Sequence, residues 1–201
     1  AAREPEIADL VNFLNSMGAQ IIGEGTSTIQ IEGVDNLSPI EHTVIPDRIE
    51  AATYMAALGM TGGQIVIEEA RLDHMEMLVE KLNEMGMEID QVDGGVSVCV
   101  SKRLRSVDLA TLPYPGVATD YKPFMVALLS ISDGVGIVTE NIFAGRFRYV
   151  DELIRMGADI RAEGHHAVVR GVERLSGAPV RAPDIRACLL YTSPSPRDLS
   201  T

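Results

Sequence analysis

The side chains best placed for chemistry in this 201-residue sequence are a few carboxylates and arginines near the expected starts of helices. Asp47, Asp120 and Asp184 each precede an apolar run that is expected to be helical. Asp is among the best N-cap residues, so capping is the ordinary reading of all three. Asp120 differs in following a loop broken by Pro and Gly, Leu112-Pro113-Tyr114-Pro115-Gly116-Val117. Such loops often carry function, and a carboxylate held there acts as a general base if it reaches a substrate proton. Arg146 falls where an apolar residue is expected in the first turn of a helix, and Arg186 stands two residues beyond Asp184. A cation there opposes the helix dipole, whereas Arg beside free backbone N–H groups makes a good anion receptor. Two such arginines could grip a phosphate bidentately; the plainer alternative is Arg lying along the surface on a packed stem.

Other reactive residue types offer less. His165-His166 invites a metal reading, but neighbours on a strand point to opposite faces and do not readily chelate together. Cys99 alternates with Val96, Val98 and Val100, as a packed strand residue does, and Cys188 stands apart from it. Neither cysteine has a nearby base, metal spacing or a disulfide framework. Lys102-Arg103-Leu104-Arg105 reads as a solvated loop, and Gly62-Gly63 as a turn without the Lys-Ser/Thr of a phosphate loop.

The elements that must position these residues come from an internal repeat. Met17-Gly18-Ala19-Gln20-Ile21, Met85-Gly86-Met87-Glu88-Ile89 and Met156-Gly157-Ala158-Asp159-Ile160 recur at a period of about 70 residues. Each phrase ends an amphipathic helix. Ile7, Leu10, Val11, Leu14 and Met17 correspond to Met75, Leu78, Val79, Leu82 and Met85, and then to Arg146, Tyr149, Val150, Leu153 and Met156. Steps of three and four set these side chains on one face, and the closing Gly suits a left-handed cap. A hairpin follows each helix, then a second helix opened by Asp, then in the first two units a Gly turn and another strand. Repeated helix–hairpin–helix–strand units define an α/β fold with mixed sheets.

Composition excludes several functions. The formal net charge of −12 argues against nucleic-acid or anionic-membrane partners, which require clustered positive charge. Apolar residues make up 46% of the chain and aromatics 4%, so the core is aliphatic. No apolar run approaches the roughly 20 residues of a membrane span, no signal peptide opens the chain, and two cysteines suit a reducing cytoplasm. The chain opens on Ala1 rather than Met, which suggests residues upstream. After Ala187 the third second-helix is expected to continue. Instead residues 188–201 carry Pro194 and Pro196 and no apolar face, and read as a foreign or disordered tail.

Five motifs carry a family likeness: Ala1-Ala2-Arg3-Glu4-Pro5-Glu6-Ile7, Pro46-Asp47-Arg48-Ile49-Glu50, Thr119-Asp120, Glu140-Asn141-Ile142-Phe143 with Arg146-Phe147, and Asp184-Ile185-Arg186-Ala187. Over residues 1–187 the chain resembles the UDP-N-acetylglucosamine 1-carboxyvinyltransferases of the enolpyruvyl transferase family. The resemblance implies two similar α/β domains of three units each, an inverse α/β barrel-like fold. Residues 1–45 would close one domain and 46–187 would form most of a second, incomplete one. It implies transfer of the enolpyruvyl group of phosphoenolpyruvate to the sugar 3-hydroxyl with release of phosphate. That is the first committed step of cytoplasmic peptidoglycan synthesis, serving cell shape and division, and it uses no cofactor or metal. Asp120 would face the sugar hydroxyl as base, with Asp184 near the reacting carbon as proton carrier. Ile142 would contact the nucleotide-sugar, and Arg146 and Arg186 the pyruvyl and phosphate groups. Glu4, Glu6 and Arg48 would stand near the interdomain cleft. Departures are the missing mobile loop with its Cys or Asp, the missing N-terminal Lys-Asn pair, the altered tail, and Tyr121-Lys122-Pro123-Phe124 after Asp120 in place of a Gln-rich form. A fragment so truncated is expected to be inactive. The alternatives are a non-catalytic anion-binding α/β repeat module and a relative of 5-enolpyruvylshikimate-3-phosphate synthase.

Overall fold

A computed structural model describes residues 1–143 and 145–182. The apolar spacing of the repeat produces the first helices α1 (Pro5–Ser16), α3 (Glu76–Met85) and α5 (Val150–Arg155) and the second helices α2 (Arg48–Thr61) and α4 (Lys122–Ile131). Gly18, Gly86 and Gly157 stand just past the three first helices with φ of 107°, 106° and 98°, a region in which a Cβ is strained. Each is followed by a hairpin: β1 (Gln20–Ile22) with β2 (Gln30–Glu32), β4 (Glu88–Val92) with β5 (Gly95–Val100), and β8 (Asp159–Glu163) with β9 (His166–Arg170). The strands after the second helices are β3 (Gly63–Glu68) and β7 (Val135–Thr139), with a short β6 (Leu109–Ala110) parallel to β7.

The sheets are offset from the sequence repeat by one step. β3, from the first unit, pairs antiparallel with β5 in the order β3-β5-β4, and β7, from the second, pairs with β9 in the order β6-β7-β9-β8. A two-stranded hairpin is marginal in water, and the strand arriving from the preceding unit gives it a third strand and a covered face. Among the described residues β1–β2 receives no such strand. The consequence shows at equivalent positions. Ile21 pairs with Ile31, Ile89 with Val98, and Ile160 with Val169; Val98 and Val169 are 0% exposed, while Ile31 is 72% exposed.

The main core lies between α2 and α4 and the two larger sheets. α4 is buried on nearly every side, as an apolar helix at the centre of a fold must be. α2 approaches it closely because it offers Ala51, Ala52, Ala56 and Gly59; a Cβ on Gly59 would collide with the Met87 and Leu128 side chains.

Three expectations require correction. The third first-helix begins at Val150, so Arg146 lies in the loop before it and not in its first turn. Gly145 at φ 75° breaks the chain direction there, and the Arg146 carbonyl accepts a hydrogen bond from Lys122 Nζ at 2.6 Å instead of a helical one. His165 sits in the β8–β9 turn; its Nδ1 lies 2.8 Å from the Glu140 carbonyl, and His166 Nδ1 lies 3.0 Å from Thr139 Oγ1. Arg103 is not simply solvated, since its guanidinium donates to the carbonyls of Ile131 and Ser132 at the end of α4 and of Val172 just after β9. Asp184, Arg186, Cys188 and the proposed tail lie outside the described residues.

Candidate functional site

The starts of three helices converge on one cavity. Glu4 is the N-cap of α1, which Pro5 opens with a ring suited to that position, and Glu6 lies in its first turn. Arg48 is the first residue of α2, whose N-cap Asp47 accepts hydrogen bonds from Ile49 N at 2.7 Å and Glu50 N at 3.3 Å. Capping is therefore the role of Asp47. Asp120 stands just before α4, whose N-cap position is Tyr121. The loop Leu112–Tyr114 after β6 and the loop Ile142–Phe143 after β7 form the remaining walls. Together Glu4, Glu6, Arg48, Asp120 and Ile142 line a cavity of about 640 Å³.

Two ion pairs, Arg48 with Glu6 and Arg146 with Asp120, border it. Arg48 donates to Glu6 through Nε at 2.8 Å and Nη2 at 3.3 Å, a bidentate fork. Its guanidinium is packed between two rings, 5.5 Å from the centroid of Tyr114 and 5.9 Å from that of Tyr121, and Nη1 lies 3.4 Å from the Tyr121 hydroxyl. Burial alone would raise the Glu6 carboxyl, but the hydrogen bonds and charge of Arg48 outweigh it and lower it. Burial pushes the Tyr121 hydroxyl up to about 12, against the pull of Arg48, so it remains a neutral donor at ordinary pH.

On the opposite wall Arg146 Nη1 donates to Asp120 Oδ1 at 2.9 Å and to Thr119 Oγ1 at 3.2 Å. Both partners are partly exposed, so solvent and ligands can reach them. The arrangement offers a carboxylate able to accept a hydroxyl proton and a guanidinium able to turn from that carboxylate to an incoming anion.

Residues 1–47, α2, α4 and the loop after β7 thus bring Glu4, Glu6, Arg48, Asp120, Ile142 and Arg146 together. Asp184 and Arg186 cannot be placed among the described residues. Residue-by-residue reasoning missed Tyr114 and Tyr121, which flank Arg48, and the buried pair Glu140 and Lys122 behind the site. A signal for the pair was present: Lys122 opens an otherwise apolar helix, and Glu140 ends an apolar strand. No group of three or more His, Cys, Asp or Glu among the described residues could hold a metal ion, and no helix there is long and apolar enough to cross a membrane.

Comparison with known proteins agrees with this architecture. A family model described as EPSP synthase (3-phosphoshikimate 1-carboxyvinyltransferase) matches residues 1–192. UDP-N-acetylglucosamine 1-carboxyvinyltransferase 2 of Caldanaerobacter subterraneus subsp. tengcongensis is 52% identical over 187 residues, covering 92% of this chain and 45% of that protein. UDP-N-acetylglucosamine 1-carboxyvinyltransferase of Geotalea daltonii is 51% identical over 187 residues, with 93% and 45% covered. The crystal structure of the enolpyruvyl transferase NikO from Streptomyces tendae superposes with a TM-score of 0.82 at 26% identity, covering 93% of this chain and 45% of that one. EPSP synthase from Acinetobacter baumannii, at 20% identity and a TM-score of 0.51, shares the fold. The chain spans about 45% of the length of the curated relatives it matches. With a helix–hairpin repeat, a cavity at converging helix starts and a family match over nearly its whole length, the chain belongs to the EPSP synthase family of carboxyvinyltransferases.

Proposed function

We propose that this chain forms part of an enzyme that transfers the enolpyruvyl group of phosphoenolpyruvate to the 3-hydroxyl of UDP-N-acetylglucosamine, releasing phosphate. The observation that carries the reading is the Asp120–Arg146 pair at 2.9 Å beside a cavity that Ile142 also lines. Relatives at about 50% identity bearing that enzyme name support the choice of substrates.

In the reaction the sugar hydroxyl oxygen adds to C2 of phosphoenolpyruvate while C3 gains a proton. The tetrahedral adduct then loses a C3 proton and phosphate, restoring the double bond. Asp120 is suited to take the hydroxyl proton as the C–O bond forms. Arg146 is suited to turn toward the carboxylate or phosphate, whose charge it stabilises in a partly desolvated cavity. Arg186 and Asp184 are proposed to add a second cation and the proton carrier at C3. Ile142 would support the nucleotide-sugar, while Glu4, Glu6 and Arg48 would shape the cleft. In this reading residues 1–45 close one domain and 46–187 begin a second. The separate β1–β2 sheet supports that division. The activity would serve peptidoglycan synthesis in the cytoplasm, and through it cell shape and division.

The test is turnover by the full-length protein carrying this sequence. Phosphate release from phosphoenolpyruvate should require UDP-N-acetylglucosamine, and shikimate 3-phosphate should not replace it. Release driven by shikimate 3-phosphate alone would assign the chain to the other branch of its family.

A further inference from the structure

Behind the cavity lies an ion pair that touches no solvent. Lys122 and Glu140 are both 0% exposed, with Nζ 2.7 Å from Oε2. We propose that this pair positions the site: it locks the loop bearing Ile142, Phe143 and Arg146 against the segment Thr119–Asp120. The inference rests on the reading of the cavity given above and adds two positioning residues to it.

Side-chain bonds of the pair reach the segments around the cavity. Glu140 Oε1 accepts from Thr111 Oγ1 at 2.7 Å, Ile142 N at 2.8 Å and Phe143 N at 3.1 Å. Its Oε2 also accepts from Thr119 Oγ1 at 2.7 Å. Lys122 Nζ donates to the Arg146 carbonyl at 2.6 Å and lies 4.1 Å from the Phe147 ring centroid. A closed circuit results. Asp120 holds the Arg146 side chain, the Arg146 backbone holds Lys122, Lys122 holds Glu140, and Glu140 holds Thr119 beside Asp120. Arg146 is thereby held by side chain and backbone, and Asp120 by its own carboxylate and through the neighbouring Thr119.

Net stability over an apolar core is a weak account of this arrangement. Desolvating two charges offsets most of their attraction, and apolar residues of similar volume often serve as well. A fully bonded buried network instead fixes a single geometry. Neither residue lines the cavity, so neither meets substrate directly.

The experiment uses the full-length protein carrying this sequence, with Lys122→Met, Lys122→Gln and Glu140→Gln. Amide hydrogen exchange is followed by NMR at Ile142 and Phe143, with Met55 and Leu128 in the core helices as controls. The Arg146 side-chain resonance is followed alongside, and UDP-N-acetylglucosamine is titrated. Lys122→Met and Glu140→Gln should speed exchange at Ile142 and Phe143 at least tenfold, leave the controls unchanged, and move the Arg146 resonance. Lys122→Gln, which keeps a donor, should restore part of the protection. Wild-type exchange at both amides in the variants that fold overturns the proposal, and so does equal loosening of the controls. Loop exchange that responds as expected in a chain whose wild type shows no nucleotide-sugar binding supports the positioning role and counts against the proposed substrate.

Discussion

Arg146 Nη1 and Asp120 Oδ1 lie 2.9 Å apart, so the proposed anion receptor and the proposed base occupy each other's binding positions. An arriving anion must compete with Asp120 for the guanidinium, and its arrival frees the carboxylate to accept a proton. In the full-length protein Asp120→Ala should lower kcat by about 10²–10⁴, the usual worth of general-base catalysis, while thermal unfolding changes little. Turnover at the wild-type rate would remove Asp120 from the mechanism.

The same pairing predicts an asymmetry in Arg146. Replacing it with Met leaves Asp120 partly exposed and able to be hydrated, so the fold should persist. The loss should fall on use of phosphoenolpyruvate, with KM for that substrate rising more than KM for the nucleotide-sugar. Steady-state kinetics with each substrate varied in turn reads this directly, and equal effects on both would argue against a dedicated anion contact.

Arg48 is held differently. Its side chain is buried between Tyr114 and Tyr121 and forks onto the half-exposed Glu6. Arg48→Ala loses stem packing, two ring contacts and the fork, and should cost about 2–3 kcal/mol in urea unfolding. Glu6→Gln keeps the packing and should cost no more than about 1 kcal/mol, as partly exposed ion pairs do. Equal costs would mean that the charge pair, not the packing, holds the start of α2.

The offset sheets yield a paired test. Val98→Ala opens a cavity under a three-stranded sheet and should cost about 2–3 kcal/mol. Ile31→Ala, at the equivalent register position, removes a side chain that is mostly in solvent and should change stability by less than about 0.5 kcal/mol. A large Ile31 effect would reveal a partner on that face in solution.

These contrasts mark what the sequence makes legible. Apolar spacing at 3.6 residues and the three closing glycines define the helices and hairpins, because both signals are local. Which hairpin receives β3 or β7 is not local: pairing Ile65 with Val98, or Ile137 with Val168, depends on which exposed edge needs a third strand. The start of α5 escapes local reading for a similar reason. Spacing puts Arg146 in the helix, but Lys122, 24 residues earlier, draws its carbonyl away. Motif resemblance gathers Glu4, Glu6, Arg48, Asp120, Ile142 and Arg146, and the fold brings these six to one cavity or its edge. Glu140 and Lys122 were visible as charges bounding apolar runs, but their pairing was not, because it depends on separate segments meeting around one carboxylate.

That carboxylate makes acid stability a direct probe of the network. Burial would raise the Glu140 carboxyl, yet hydrogen bonds from Lys122, Thr111 and Thr119 and from the Phe143 amide overcome it and bring it from an ordinary 4.5 down to about 2. A group whose folded value is depressed contributes stability that is full above its unfolded value and is lost as pH falls toward the folded one. The interval from 4.5 to about 2 corresponds to roughly 3 kcal/mol. Glu140→Gln cannot titrate, so it lacks this dependence while keeping the shape of the side chain. Urea unfolding of both proteins should therefore show the wild type ahead at pH 6, with its lead shrinking as pH drops from about 5 to about 2. A lead that stays constant across that interval would mean that the Glu140 carboxyl titrates alike in the folded and unfolded chains, and a lead that grows as pH falls would mean that it is neutral in the folded chain; either result removes the charge pairing with Lys122.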